Sequence, residues 1–125
     1  MSDISHIVDI SKLCADETDG VWVTADGGYP WDGVRALIRP AFVKVLERVK
    51  RRQAGVSGSD YKRSKVLLDE LLLDIEGIAK DGVMLGIAEA REYLANVLQF
   101  VGWVQEEALR LASEAVTAEE TSLGN

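Results

Sequence analysis

The sequence predicts a mainly α fold, with about four helices and a small N-terminal β-hairpin as a minor β component. Three observations indicate this class. Apolar residues recur at helical spacing over most of the chain after Pro40, two short β-like runs come before it, and 125 residues suffice for one core. We therefore expect a single helical domain with an N-terminal hairpin at 20–117. A flexible N-terminal segment, 1–19, and a flexible polar tail, 118–125, are expected to flank it.

The stretch "DGVWVTADGGYPWDGVRALI" predicts the hairpin. Its β-like runs are residues 21–24 and roughly 34–38, and a segment rich in Gly, Pro and Asp joins them, as turns require. Three aromatic side chains lie close together in this stretch, and we interpret them as a small aromatic core rather than a ligand cage. They are Trp22, Tyr29 and Trp31.

Two helices are predicted in the middle of the chain. The first runs from about Pro40, which suits a first helical position, to Gln53 and places its apolar residues on one face. After the loop "AGVSGS", Asp60 is the predicted N-cap of a second helix that reaches about Glu76 and is the most buried. Its last turns carry several carboxylates at the negative end of the helix dipole, which is unfavourable for negative charge. Their charge can be compensated by the basic middle of the same or a neighbouring chain, or by solvent.

Two further helices are predicted toward the C-terminus. A Gly-bounded interruption, Gly77 to Gly86, is followed by an amphipathic helix that breaks near Asn96. The last helix, about Leu98 to Val116, has a face of small residues and a predicted i, i+4 pair between Glu106 and Arg110.

Charge is segregated along the chain although the net charge is −7. Residues 35–65 carry ten basic and two acidic side chains, whereas the segments on either side are acidic. The basic cluster "KVLERVKRRQ" falls in the last turns of the first predicted helix, where the dipole favours cations. It can also attract an acidic surface of a neighbouring subunit, or mark a nucleic-acid footprint.

The residues for common catalytic chemistries are scarce. One histidine, His6, and one cysteine, Cys14, do not provide a hydrolytic triad or a zinc set, and no acidic run has the spacing of a calcium loop. "DGGYPWDG" lacks the lysine and the strand-loop-helix context of a phosphate cradle. We therefore expect that the protein is not an enzyme and that it uses no cofactor. The N-terminus has no signal-peptide pattern and no apolar run is long enough to span a membrane, so we expect a cytoplasmic protein.

The order of features resembles the tail assembly chaperones of long, non-contractile-tailed bacteriophages. The resemblance begins with "GVWV" and "LIRPAF", which leads into a basic helix, and continues with "LLLDIEGI", where Ile75 stands in place of the family's usual aromatic residue. "KDGVML" resembles the family's short Gly-containing insert, and "AEAREYLAN" with "LQFVGWVQEEALRLASE" resembles its two final helices. The polar ending "EETSLGN" is also similar. The resemblance covers about 20–125.

Membership of this family would imply a non-catalytic, self-associating protein that coats the helical tape measure protein until the major tail protein polymerises around it. It would act in the host cytoplasm and be absent from the mature virion. Many such genes also give a longer product by ribosomal frameshifting, which recruits the major tail protein. No nucleic acid or membrane partner is implied.

The charge pattern suggests residues for self-association or partner binding. Basic side chains of the first helix in one subunit are expected to meet acidic side chains of the last helix in the next. The candidate residues are Arg48, Arg51, Arg52, Trp103, Glu106, Glu107 and Arg110.

Three other classes of protein remain open from the sequence, and one of them is a simple helical adaptor in a bacterial host. A head-tail adaptor is also small and helical and would form a closed ring. A DNA-binding protein such as a small terminase subunit would use the basic middle and bind DNA in a salt-sensitive way, although the chain as a whole is acidic.

Overall fold

The computed structural model describes residues 20–56 and 58–124, with backbone alone for 116–124. Within these residues, four helices and a small antiparallel sheet near the N-terminus confirm the predicted mainly α class. The predicted segment 1–19, which includes His6 and Cys14, lies outside the described residues. In chain order the elements are β1 (Val21–Thr24), β2 (Arg35–Ile38), α1 (Val43–Ala54), α2 (Asp60–Leu71), β3 (Leu72–Glu76), β4 (Ala79–Lys80), β5 (Val83–Met84), α3 (Ile87–Leu94) and α4 (Leu98–Gly124).

The predicted hairpin is present as β1 and β2. The strands pair antiparallel with Val21 opposite Ile38 and Thr24 opposite Arg35. In the connecting loop, the Asp32 carboxylate accepts hydrogen bonds from the backbone N–H groups of Gly27 and Gly28, at 3.2 and 2.8 Å. These bonds close a turn within the loop, and Tyr29 and Trp31 lie between its hydrogen-bonded residues.

The second predicted helix is shorter than expected. It ends at Leu71, and residues 72–76 form β3, which pairs antiparallel with β2 and completes a sheet of order β1-β2-β3. The apolar spacing of this stretch fits a helix, but β2 offers unpaired backbone groups, and pairing with them wins over local helix propensity. The N-cap is also corrected, because the Ser59 hydroxyl rather than Asp60 accepts the Lys62 backbone N–H.

The Gly-bounded interruption contains a second, two-stranded hairpin, β4 and β5. Its turn residues Asp81 and Gly82 both have positive φ angles, 52° and 81°, as two-residue hairpin turns prefer. The Gly-bounded interruption seen in the sequence is thus a small β-hairpin.

Two other helix ends differ clearly from prediction, the start of α1 and the end of α4. Pro40 and the extended residue Phe42 precede α1, so Pro40 is not its first helical residue. The break before α4 lies near Asn96 as predicted. α4 continues to Gly124, past the predicted end at Val116, because residues 117–123 contain neither Gly nor Pro.

The core lies where α2 and α4 pack against each other, with α1 beside α2 and the sheet at one end. As predicted, α2 contributes heavily to it. The fully buried large side chains are Phe100, Ile38, Leu68, Leu71, Leu72, Val45 and Val104.

Candidate protein-binding surfaces

An apolar groove runs between three helices. We call it the α1–α2–α4 groove, and it encloses about 380 Å³. Its floor is apolar and its rim is polar, which is the usual arrangement of a site that takes an apolar face of a partner. The lining residues are Leu46, Val49, Lys50, Gln53, Leu67, Leu71, Gln105 and Leu109.

The groove follows from the helical spacing of its residues. Leu46, Val49, Lys50 and Gln53 lie on one face of α1 because they are three, four and seven residues apart. Val49 is buried in the floor, whereas Leu109 is 44% exposed on the α4 wall. Leu109 therefore adds exposed apolar surface to the α4 wall of the groove.

A cluster of ion pairs fastens α1 to α2 next to this groove. Glu70 accepts hydrogen bonds from Arg48 Nε at 2.7 Å, Arg52 Nη1 at 2.9 Å and Arg39 Nη1 at 3.3 Å. The Glu70 side chain is 10% exposed, and this burial works to raise its pKa. The hydrogen bonds and charges of Arg48 and Arg52 outweigh burial, so the pKa of Glu70 lies below its ordinary value.

This cluster changes the predicted roles of the basic residues. Arg48 and Arg52, which we expected to face a neighbouring subunit, bind Glu70 of their own chain. Arg52 also lies 3.5 Å from Asp69, which Lys65 approaches at 3.1 Å. The basic middle therefore compensates the carboxylates of α2 within the chain. Arg51 is exposed on α1 and lies outside this cluster.

Four aromatic rings pack where the β1–β2 loop meets α4. Tyr29 stacks on Trp31, with centroids 4.8 Å apart, and Trp31 meets the edge of Phe100 at 5.4 Å. Trp103 lies 5.6 Å from Phe100 and 6.5 Å from Tyr29. The predicted aromatic core is therefore corrected in membership: two residues of α4 join it, and Trp22 instead lies under the Arg35 guanidinium at 4.9 Å.

Above these rings lies a second concave site of about 420 Å³. We call it the Glu106 cleft. The β1–β2 loop forms one wall and α4 forms the other. Space at Gly102 is open, since a Cβ built there meets no other atom within 4 Å. The lining residues are Gly28, Tyr29, Pro30, Gln99, Gly102, Trp103 and Glu106.

The structure separates the remaining predicted site residues. Trp103 is buried at the base of the Glu106 cleft, and Glu106 is exposed at its edge. The predicted Glu106–Arg110 pair is wrong, because Arg110 binds Glu107 at 2.9 Å and Glu114 at 2.7 Å. Hydrogen bonds to these two carboxylates raise the pKa of Arg110.

The groove was not predicted from the sequence, although the position of one apolar residue on α4 indicated it. Leu109 lies between Ala108 and Arg110, out of phase with the buried stripe of α4. A large apolar residue on the polar side of a helix is a reason to expect a contact there. Leu46 and Leu67 gave no such signal, since both fit a core face.

Among the residues that the structure describes, no group of three or more His, Cys, Asp or Glu side chains is arranged to hold a metal ion. In the same part of the chain, no helix is both long and apolar enough to cross a membrane.

Comparison of the chain with protein-family models, curated proteins and solved structures finds no match.

Proposed function

We propose that this protein is a tail assembly chaperone of a long, non-contractile-tailed bacteriophage and that it holds the tape measure protein before the tail tube polymerises. The observation that carries the proposal is the α1–α2–α4 groove. A groove with an apolar floor and polar rim fits one apolar face of an amphipathic helix. The tape measure protein is a long helical chain, so it offers such faces along its length.

The groove is suited to hold a helix without large rearrangement. Its floor residues Val49, Leu67 and Leu71 belong to the packed core and are therefore fixed before a partner arrives. The ion pairs between α1 and Glu70 keep two of its walls in place. Preorganisation of this kind reduces the ordering cost of binding.

The polar rim adds a means of release. Lys50, Gln53 and Gln105 surround the apolar floor and keep water close to the edge of the contact. A chaperone has to give its client up when the major tail protein arrives, and a contact of modest apolar area allows that exchange.

Self-association is part of the same proposal. Arg51 and Lys50 are exposed cations on α1, whereas the segments before residue 35 and after residue 65 are acidic. Neighbouring copies can therefore meet through complementary charges.

We also infer that the protein acts in the host cytoplasm and is absent from the mature virion. A frameshifted longer product would recruit the major tail protein.

The arrangement of arginines argues against the DNA-binding alternative. Glu70 engages Arg39, Arg48 and Arg52, so three of the ten basic residues of the middle segment already have an internal carboxylate. Phosphate binding at this cluster would have to compete with a largely buried Glu70.

The proposal is tested by co-expressing this protein with the tape measure protein of the same phage. We expect the tape measure protein to be soluble and to co-purify, because its apolar helical faces are covered. A control culture expresses the tape measure protein alone, where we expect aggregation. If the tape measure protein is equally insoluble in both cultures and none co-purifies, the proposal is wrong.

A further inference from the structure

The groove and the Glu106 cleft lie side by side on α4. Gln105 and Leu109 line the groove, whereas Gly102 and Glu106 line the cleft. The pairs Gly102–Gln105 and Glu106–Leu109 are each three residues apart, so the two positions of each pair are neighbours on the helix surface. A helix lying in the groove therefore places its own side chains within reach of the cleft.

The cleft combines a carboxylate with aromatic surface. Glu106 is exposed and has no ion-pair partner among the residues that the structure describes. Tyr29 is 36% exposed at the opposite wall. A carboxylate beside an aromatic face favours a cation, and a planar guanidinium can stack on the ring while it binds the carboxylate.

Among the side chains that the structure describes, no cation lines this cleft. Arg110, one turn farther along α4, binds Glu107 and Glu114 instead. The Asp32 carboxylate lies behind the loop wall, where it accepts hydrogen bonds from the backbone N–H groups of Gly27 and Gly28, and it does not line the cleft. Desolvation works to raise the pKa of Asp32, but hydrogen bonds from the backbone of Gly27, Tyr29 and Gly28 hold it below its ordinary value.

We propose that the Glu106 cleft binds an arginine side chain carried by the client helix that occupies the groove. This inference rests on the proposed function, and it adds a chemical requirement to the client: an apolar face flanked by an arginine. Charge complementarity selects the occupant, since Glu106 lines the cleft with a carboxylate. Tyr29, stacked on Trp31 through one face, is still 36% exposed and offers ring surface. The groove supplies apolar affinity, and the cleft fixes the register of the client.

The cleft is tested with N-acetyl-arginine methylamide as the probe, followed by amide chemical shifts of the isotope-labelled protein. We expect saturable shifts at Gly28, Tyr29, Gly102 and Glu106, with affinity in the millimolar range. N-acetyl-citrulline methylamide has nearly the same shape but no charge, and we expect no shifts from it. Equal shifts from both probes, or shifts elsewhere in the protein alone, would overturn the proposal.

Two variants make the test specific. Glu106→Gln removes the charge, and we expect about tenfold weaker binding of the arginine probe. Gly102→Leu fills the open cleft, and we expect no binding although the helix is more stable, since leucine is the better helix former. Glu92→Gln, an exposed glutamate of α3, is the matched control and should bind the probe like the unaltered protein. Unchanged binding in Glu106→Gln contradicts the proposal.

A last comparison separates this inference from the proposed function. Leu109→Gln alters the groove but leaves Glu106 and Tyr29 in place. We expect it to bind the arginine probe normally and to retain less tape measure protein, whereas Glu106→Gln should also weaken retention by about tenfold. Full retention by Glu106→Gln would overturn the inference and leave the groove intact. If Glu106→Gln and Arg51→Gln both abolish self-association, the occupant is a second copy and the assignment to the client is wrong.

Discussion

Glu70 is the carboxylate with which several arginines of the basic middle form ion pairs. Three arginines reach it, Arg48 and Arg52 from α1 and Arg39 from the chain just after β2. The sequence indicated that carboxylates near the end of α2 needed compensation and that the basic middle was one candidate. It did not indicate which carboxylate, because the approach of Arg39 depends on sheet pairing far from Glu70 in sequence.

Replacement of Glu70 by glutamine should destabilise the fold at neutral pH. Glu70→Gln removes the charge that faces three arginines while keeping nearly the same shape, and we expect a loss of about 2 kcal/mol in the free energy of unfolding. Urea denaturation of both proteins measures it. Glu76→Gln is the control, since Glu76 pairs with Arg35 at the surface and should cost less than about 0.5 kcal/mol.

The effect of Glu70→Gln should depend on pH in one direction. The folded-state pKa of Glu70 lies below its ordinary value of 4.5, so its stabilisation is complete above that pH and is lost as the pH falls toward the lowered value. The stability difference between the two proteins should therefore shrink below about pH 4.5. A difference that stays constant from neutral to acidic pH would show that Glu70 acts through packing rather than charge.

At the scale of elements, the junction of α2 and β3 is where helix and strand compete. Hydrophobic spacing predicted β1, β2, α1, α3 and most of α4, since each has one clear period. The stretch 71–76 fits both periods, and pairing with β2 decides it. A single-chain pattern does not contain that information, because the β2 residues lie more than thirty positions earlier.

Arg91 of α3 fastens this junction. Its Nε and Nη2 atoms both donate to the carbonyl oxygen of Leu72, at 3.0 and 2.6 Å, where α2 gives way to β3. Removing this side chain leaves that partly buried carbonyl without its donors. We expect Arg91→Ala to lower the free energy of unfolding by about 1–3 kcal/mol. The measurement is urea denaturation with hydrogen exchange at the β3 amides.

The matched control for Arg91 is Arg63→Ala. Arg63 forms an exposed i, i+3 pair with Asp60, so its loss should change stability by less than about 0.5 kcal/mol. The junction does not depend on Arg91 if Arg91→Ala and Arg63→Ala lower the free energy of unfolding by the same small amount. The same conclusion follows if the β3 amides of Arg91→Ala exchange no faster than those of the unaltered protein.

At the scale of the whole molecule, α4 connects the two candidate surfaces. Its buried face packs on α2, and its outer face borders the groove on one side and the Glu106 cleft on the other. The sequence identified Trp103 and Glu106 as candidates from charge and composition. It did not predict that they share a cleft with Tyr29, or that Leu109 faces α1, because both depend on how the elements pack.

We propose that the α1–α2–α4 groove holds a helical part of the tape measure protein. The most direct test is quantitative co-purification of that protein with Leu109→Gln and with Val83→Gln. Val83 on β5 is 65% exposed and lines neither surface, so it controls for the loss of an exposed apolar side chain. We predict that Leu109→Gln loses most of the bound tape measure protein and that Val83→Gln retains it. Equal retention by both variants would contradict the account.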